Sequence, residues 1–160
     1  MSSTRELGQT RLTAAAIIHR DDDRFLFVEE KTGGRTVLNQ PSGGWEVGET
    51  LVQTSIREAA EEAGVLFEPI SFLGTFITHH VNDRGVQICS IRAAFAGNIL
   101  PGVPGVPLDG AIIRTHWFSY DEVMAHREKH RSSAVKRCLD AYRNGQLWPV
   151  DSLNEADDGV

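Results

Sequence analysis

The chain has 160 residues, with 16 Lys+Arg against 22 Asp+Glu and a formal net charge of −6. At about 150 residues per domain this is one domain, long enough for a sizeable core and too short for a second. The acidic balance excludes the basic footprint of a dedicated nucleic-acid binder, and 41% hydrophobic with 24% charged residues excludes wholesale disorder. No apolar run approaches the about 20 residues of a membrane span. Residues 1–7 carry no apolar core of a signal peptide, so a cytoplasmic protein with no membrane partner is expected. Cys89 and Cys138 match no zinc or redox spacing, and each is expected as a buried free thiol.

In chain order, residues 12–19 are an apolar run ending in the charged turn Arg20-Asp21-Asp22-Asp23, and 24–30 read as a second strand closing a hairpin. Gly33-Gly34 turns the chain into a short strand at 36–38, followed by a glycine-rich loop over 41–49. The clearest helix is 50–63, with Thr50 and Gln53 as a capping box and Gly64 as its left-handed stop. Strands are expected at 70–81 and 86–99, joined through Asn82-Asp83-Arg84-Gly85. A Pro/Gly-rich loop at 101–110 is long for a compact domain and has the character of a functional lid. A strand at 112–118, a short helix at 120–126 and a final helix at 133–143, stopped by Asn144-Gly145, complete the pattern. The whole chain 1–160 reads as one domain with its core over about 12–150 and a disordered tail over 151–160. Mixed strands with a few helices indicate an α/β or α+β sandwich.

The chemistry concentrates in the 50–63 helix. On the helical wheel Val52, Ile56, Ala59 and Ala63 form an apolar stripe, and Glu58, Glu61 and Glu62 cluster on a different face. Most such charge runs are solvated faces. Here, though, like charges at i,i+3 and i,i+4 repel, and the helix dipole disfavours anions in the last turns. Three carboxylates converging on one point make sense around a hard cation such as Mg²⁺ or Mn²⁺. Pro41 and the glycines at 43, 44 and 48 suit a turn whose backbone approaches a ligand closely.

Gly43, five residues, Glu49, seven residues, then Arg57-Glu58-Ala59-Ala60-Glu61-Glu62-Ala63-Gly64-Val65 resembles the Nudix box, G-x5-E-x7-R-E-U-x-E-E-x-G-U with U bulky and apolar. Every fixed position is matched; Ala59 is small for the first U. The resemblance implies the Nudix fold, an α/β/α sandwich around a mixed β-sheet. It also implies Glu58, Glu61 and Glu62 as ligands of Mg²⁺ or Mn²⁺, with the backbone carbonyl of Ser42 as a further ligand. Glu49 and Arg57 would pair to hold the loop against the helix. Ser42 stands where many members have Gly, and the carbonyl survives that change.

Longer stretches, including Leu38-Asn39-Gln40-Pro41-Ser42 and Arg143-Asn144-Gly145-Gln146-Leu147-Trp148-Pro149, are similar to a bacterial branch of NudJ-type phosphatases. That resemblance implies hydrolysis of nucleoside tri- and diphosphates and of hydroxymethylpyrimidine pyrophosphate, with release of phosphate. Leu38 stands where that branch tends to have Trp. The competing activity is a pyrophosphatase acting on a nucleoside diphosphate linked to a sugar, a second nucleotide or an oxidised base. A non-catalytic ligand sensor of the same fold would have lost box glutamates, and none is lost. The proton would go to one of the box glutamates, with Glu58 and Glu62 as candidate bases, or to a group on a later loop that the sequence does not single out.

Outside the box, Arg35, Gln40, Arg92 and Arg131 are candidate substrate contacts. Arg131 enters through the resemblance. Arg92 lies between apolar neighbours, where it either recognises phosphate or faces outward, and Arg35 is either a phosphate contact or a turn cation. Trp45 either stacks on a heterocycle or packs over its loop, and His79-His80 read as surface histidines. The expected partner is a small nucleotide or pyrophosphate, and the chain is a monomer or a homodimer.

Overall fold

The computed structural model describes residues 8–156. Eight strands and three α-helices occur among them: β1 Gln9–Arg20, β2 Arg24–Thr32, β3 Arg35–Asn39, β4 Ser42–Gly44, α1 Leu51–Ala63, β5 Leu66–Val81, β6 Gln87–Leu100, β7 Ile112–Phe118, α2 Tyr120–Ala125, α3 Ser133–Arg143 and β8 Trp148–Pro149. Residues 1–7, read above for a signal peptide, and 157–160 of the expected tail lie outside the described residues.

The β1–β2 hairpin forms, but its strands pair only at His19↔Phe25 and Arg20↔Arg24. Over most of its length β1 runs parallel to β6 on one edge, from Gln9↔Ile88 to Ile18↔Gly97. On its other edge it takes β4 antiparallel, Ala15 opposite Ser42. The result is a mixed sheet β4-β1-β6-β5-β8 joined at one corner to an antiparallel sheet β3-β2-β7. The glycine-rich stretch expected as loop therefore contains a three-residue strand, held by β1.

Both faces of the mixed sheet are covered, which is why 14–18 is apolar without alternation. Ala14, Ala16 and Ile18 pack with Ala59 and Phe95 in the α1 layer. Ala15 and Ile17 pack with Val135 and Leu139 in the α3 layer. This is the expected α/β/α sandwich.

Helix α1 begins and ends where its caps dictate. Thr50 and Gln53 complete both halves of the capping box, and Gly64 adopts the left-handed conformation at φ 66°. Its buried face differs from the wheel. Leu51, Thr54, Ser55, Glu58, Ala59 and Glu62 are buried, while Ile56 is exposed. The Thr54 hydroxyl donates to Glu49 Oε1 (2.8 Å), with Thr50 O 3.1 Å away, and the Ser55 hydroxyl donates to Val52 O (2.7 Å), so burial leaves both satisfied.

The tail also differs from expectation up to residue 156. Val150–Leu153 forms a 3-10 turn whose Val150 and Leu153 pack on the α1-side core. Both Glu155 carboxylate oxygens lie 2.9 Å from the Leu51 N–H they accept from, at the open end of α1. Between α2 and α3 the chain makes a 3-10 turn, Arg127–Lys129. Cys138 is buried as expected, whereas Cys89 is half-buried.

Candidate functional site

The rotation of α1 turns two carboxylates inward against β4. Glu58 and Glu62 are 7% and 5% exposed, one turn apart on the buried face. The Ser42 N–H donates to Glu62 Oε2 at 2.8 Å. The bonds Ala16 N–H to Pro41 O (2.9 Å) and Trp45 N–H to Leu12 O (3.0 Å) set the phase of the β1–β4 ladder. Paired positions alternate in an antiparallel ladder, so Ser42 presents both its N–H and its C=O away from β1. Gly43 carries no side chain because a Cβ there would overlap the Glu58 carboxylate.

Arg57 is the cation of this cluster. Its Nε and Nη2 grip the two Glu49 oxygens at 3.1 and 2.7 Å, and Nη2 also donates to Gly44 O at 2.7 Å. Its Nη1 reaches Glu58 Oε1 at 2.6 Å and Glu61 Oε2 at 3.1 Å. The expected Glu49–Arg57 pair is therefore present, and it ties the loop to the helix. Arg57, with further bonds from Glu46 N–H and Thr54, holds the Glu49 carboxyl down at about 2. Burial pushes Glu62 up to about 8, opposed by the Ser42 N–H and helped by Glu58, Glu30 and Asp109. Burial raises Glu58 as well, against the pull of Arg57.

Among the described residues no group of three His, Cys, Asp or Glu side chains is gathered closely enough to hold a metal ion. The expected convergence on one point is not the arrangement seen: Glu58 and Glu61 both meet Arg57 Nη1, whereas Glu62 accepts from the Ser42 N–H. The donor chemistry nevertheless fits a hard divalent cation: two buried carboxylates, a third beside them, an outward backbone carbonyl, and a single guanidinium that Glu49 shares.

On the α3 side of the sheet a groove of about 930 Å³ opens next to this cluster. Ser42 and Gly43 form one end, and Arg11, Arg35, Arg92 and Arg131 line it. It thus gathers three of the expected substrate contacts, Arg35 exposed at its edge. Arg131 donates to Glu30 Oε1 at 2.7 Å. Gln40 is not part of the lining: it is 1% exposed, donates to Val135 O (2.8 Å) and accepts from Arg92 Nη1 (3.2 Å). The outward alternative for Arg92 is overturned. It is buried, and neutral oxygens of Asn39, Gln40 and Ser42 surround it where a carboxylate partner would be expected. Burial accordingly lowers its proton affinity.

Trp45 packs over its own loop, its Nε1–H donating to Glu49 O at 2.6 Å. His79 and His80 are exposed and flank the far end of the groove. Sequence reasoning gave no site role to Glu30 or Asp109, and took Asn39 only as part of the stretch that carries the resemblance. Glu30 is a buried carboxylate near the end of β2, read there only as strand. Asp109 closes the Pro/Gly-rich loop, where its N–H caps Glu61 O on α1 at 2.7 Å. Pro-Gly composition signalled that loop, but nothing in it signalled where its end would dock.

The NUDIX domain profile matches residues 9–138. The chain is 31% identical over 144 residues to Phosphatase NudJ of Escherichia coli (strain K12), covering 90% of each. A solved NUDIX hydrolase from Nitrosomonas europaea superposes with a TM-score of 0.82 at 36% identity, covering 95% of this chain and 100% of that one. The NUDIX domain of Shewanella oneidensis NrtR, solved with ADP ribose, shares the fold at a TM-score of 0.64 and 16% identity, covering 88% of this chain and 90% of that one.

Proposed function

The chain belongs to the Nudix family and is a Nudix hydrolase, and on that premise we propose that it is a divalent-metal-dependent phosphohydrolase of nucleoside tri- and diphosphates that releases orthophosphate. Hydroxymethylpyrimidine pyrophosphate is a second substrate of the same class. The observation that carries this reading is the junction at Ser42-Gly43, where the buried carboxylates of α1 meet the end of a groove lined by four arginines.

Glu58, Glu61 and Glu62, with the Ser42 carbonyl, would hold Mg²⁺ or Mn²⁺. When bound, the cation supplies Lewis acidity and neutralises phosphate charge, which removes the paradox of an acidic protein handling a polyanion. Arg57 fixes Glu49 and the 44–49 loop, so the carboxylates face a rigid backbone. Arg35, Arg92 and Arg131 attract and orient the phosphates in the groove. Glu58 or Glu62, or a group on a later loop, would take the proton of the attacking water. Gln40 serves by holding Arg92 rather than by touching substrate.

The test is product analysis. ATP, ADP and hydroxymethylpyrimidine pyrophosphate are incubated with Mg²⁺, and orthophosphate is measured with and without added inorganic pyrophosphatase. Orthophosphate formed without the added enzyme supports the reading. Pyrophosphate as the only product from triphosphates, or inert nucleotides beside an efficiently cleaved nucleoside diphosphate sugar, overturns it. Turnover that survives exhaustive chelation overturns the metal dependence.

A further inference from the structure

The proposed function uses the backbone of Ser42 and leaves its side chain without a task. Donor and acceptor bookkeeping gives it one. The Arg92 guanidinium has only donors, and its Nη2 lies 3.1 Å from the Asn39 side chain and 3.3 Å from Ser42 Oγ. Asn39 must therefore present Oδ1 to Arg92. Its amide nitrogen then donates to Ser42 Oγ at 2.9 Å and to Glu30 Oε1 at 3.4 Å. Ser42 Oγ accepts two hydrogen bonds, the full capacity of its lone pairs. Its own proton is left over, and among the described residues Ser42 Oγ donates to no acceptor.

Ser42 is only 8% exposed, and the space it borders is the groove. An unused donor in a buried position is costly unless something accepts from it. We propose that the Ser42 hydroxyl is a substrate-binding group, donating to a phosphate oxygen at the groove end next to Gly43. An anionic acceptor is required by the surroundings. Arg92 stands directly behind the hydroxyl, buried, and among the described residues it forms no ion pair with a carboxylate. A neutral acceptor would leave that charge uncompensated, whereas a phosphate oxygen answers both groups. The two donors into Oγ also polarise the O–H bond and strengthen what it gives. A glycine at this position would keep the backbone N–H and C=O and lose this contact.

The inference rests on the phosphohydrolase reading for its ligand class, so its test uses orthophosphate as the probe rather than turnover. Wild-type, Ser42→Ala and Ser42→Gly proteins are loaded with Mn²⁺ and titrated with inorganic phosphate by calorimetry. Mn²⁺ affinity is measured separately by electron paramagnetic resonance. In both variants the phosphate Kd rises about tenfold, the size of a hydrogen bond to a charged group, and by clearly more than the Mn²⁺ Kd does. Unchanged phosphate affinity in both variants overturns the proposal, as does a wild-type protein that binds no phosphate. Parallel loss of Mn²⁺ and phosphate binding also overturns it, by making the side chain a clamp on residues 39–42 only. A failure of the nucleotide reading shows elsewhere, as a wild-type enzyme that binds phosphate and leaves nucleotides intact.

Discussion

Gly43 and Glu58 compete for one volume: a Cβ on Gly43 would coincide with the Glu58 carboxylate. The residue that must yield is the end of a flexible side chain, not backbone. Gly43→Ala should therefore fold, losing on the order of 1 kcal/mol, a Tm shift of a few degrees. Its Glu58 would be displaced by roughly an ångström, and misplacement on that scale costs about a hundredfold in rate. Thermal melts beside steady-state kinetics check both halves. Activity near wild type would show that Glu58 has no fixed station.

Glu62 predicts a pH dependence of the metal-free protein. Burial raises its carboxyl from 4.5 to about 8, while in the unfolded chain it ionises near its ordinary value. Between those limits the folded protein carries a proton that the unfolded chain has lost. Stability is therefore highest below pH 4.5 as far as this group is concerned, and it falls as pH rises toward 8. Glu62→Gln should flatten that slope and stabilise the chelator-treated protein at pH 8 by on the order of 2 kcal/mol. It should also lower turnover by orders of magnitude. Melts from pH 5 to 8 with chelator decide it; a variant less stable than wild type at pH 8 contradicts the burial argument.

What could be read from the sequence was what is local. Thr50, Gln53 and Gly64 fix α1 through contacts spanning a few residues, so its limits were legible. The face it buries was not. A wheel counts apolar side chains, whereas here Thr54 and Ser55 are buried with their hydroxyls donating to Glu49 and to the Val52 carbonyl, and two carboxylates are buried on the same face. The parallel pairing of β1 with β6 joins segments about 80 residues apart and leaves no local mark. Arg92 was ambiguous for a related reason. Its surroundings are side-chain oxygens from the 39–42 segment, and no carboxylate in the sequence flagged them.

Arg57 should be irreplaceable by lysine. Its planar fork meets both Glu49 oxygens and a backbone carbonyl at once, which a point charge on a flexible stem cannot do. Arg57→Ala should cost about 3 kcal/mol at pH 7, because breaking a largely buried pair strands its partner. Arg57→Lys should recover only part of that. The Glu49 carboxyl is depressed to about 2, so its contribution is present above its ordinary pKa of 4.5 and disappears as pH falls toward 2. The difference between wild type and Arg57→Ala should shrink across that window. Equal melting temperatures at pH 7 would dissolve the assigned pairing.

Among ATP, GTP, CTP and UTP the enzyme should discriminate little. Strong preference among bases needs buried polar groups aimed at one base edge, which are left unpaired by the wrong base. The polar side chains nearest the Ser42–Gly43 end of the groove are already engaged, Gln40 with Val135 and Arg92, Asn39 with Ser42 and Arg92, and His79 and His80 away from that end are exposed rather than buried. The tryptophan within the box, Trp45, gives its N–H to Glu49 O and does not line the groove. Leu38, in place of a possible stacking Trp, is 4% exposed in the core. The kcat/KM values for ATP, GTP, CTP and UTP should therefore fall within about tenfold of one another. Trp45→Phe should shift all four together, through the loop it braces, and leave their ratios alone. A preference beyond about a hundredfold for one base would demand a reading site of the kind such discrimination requires. Ratios that change with Trp45→Phe would place that indole against the base.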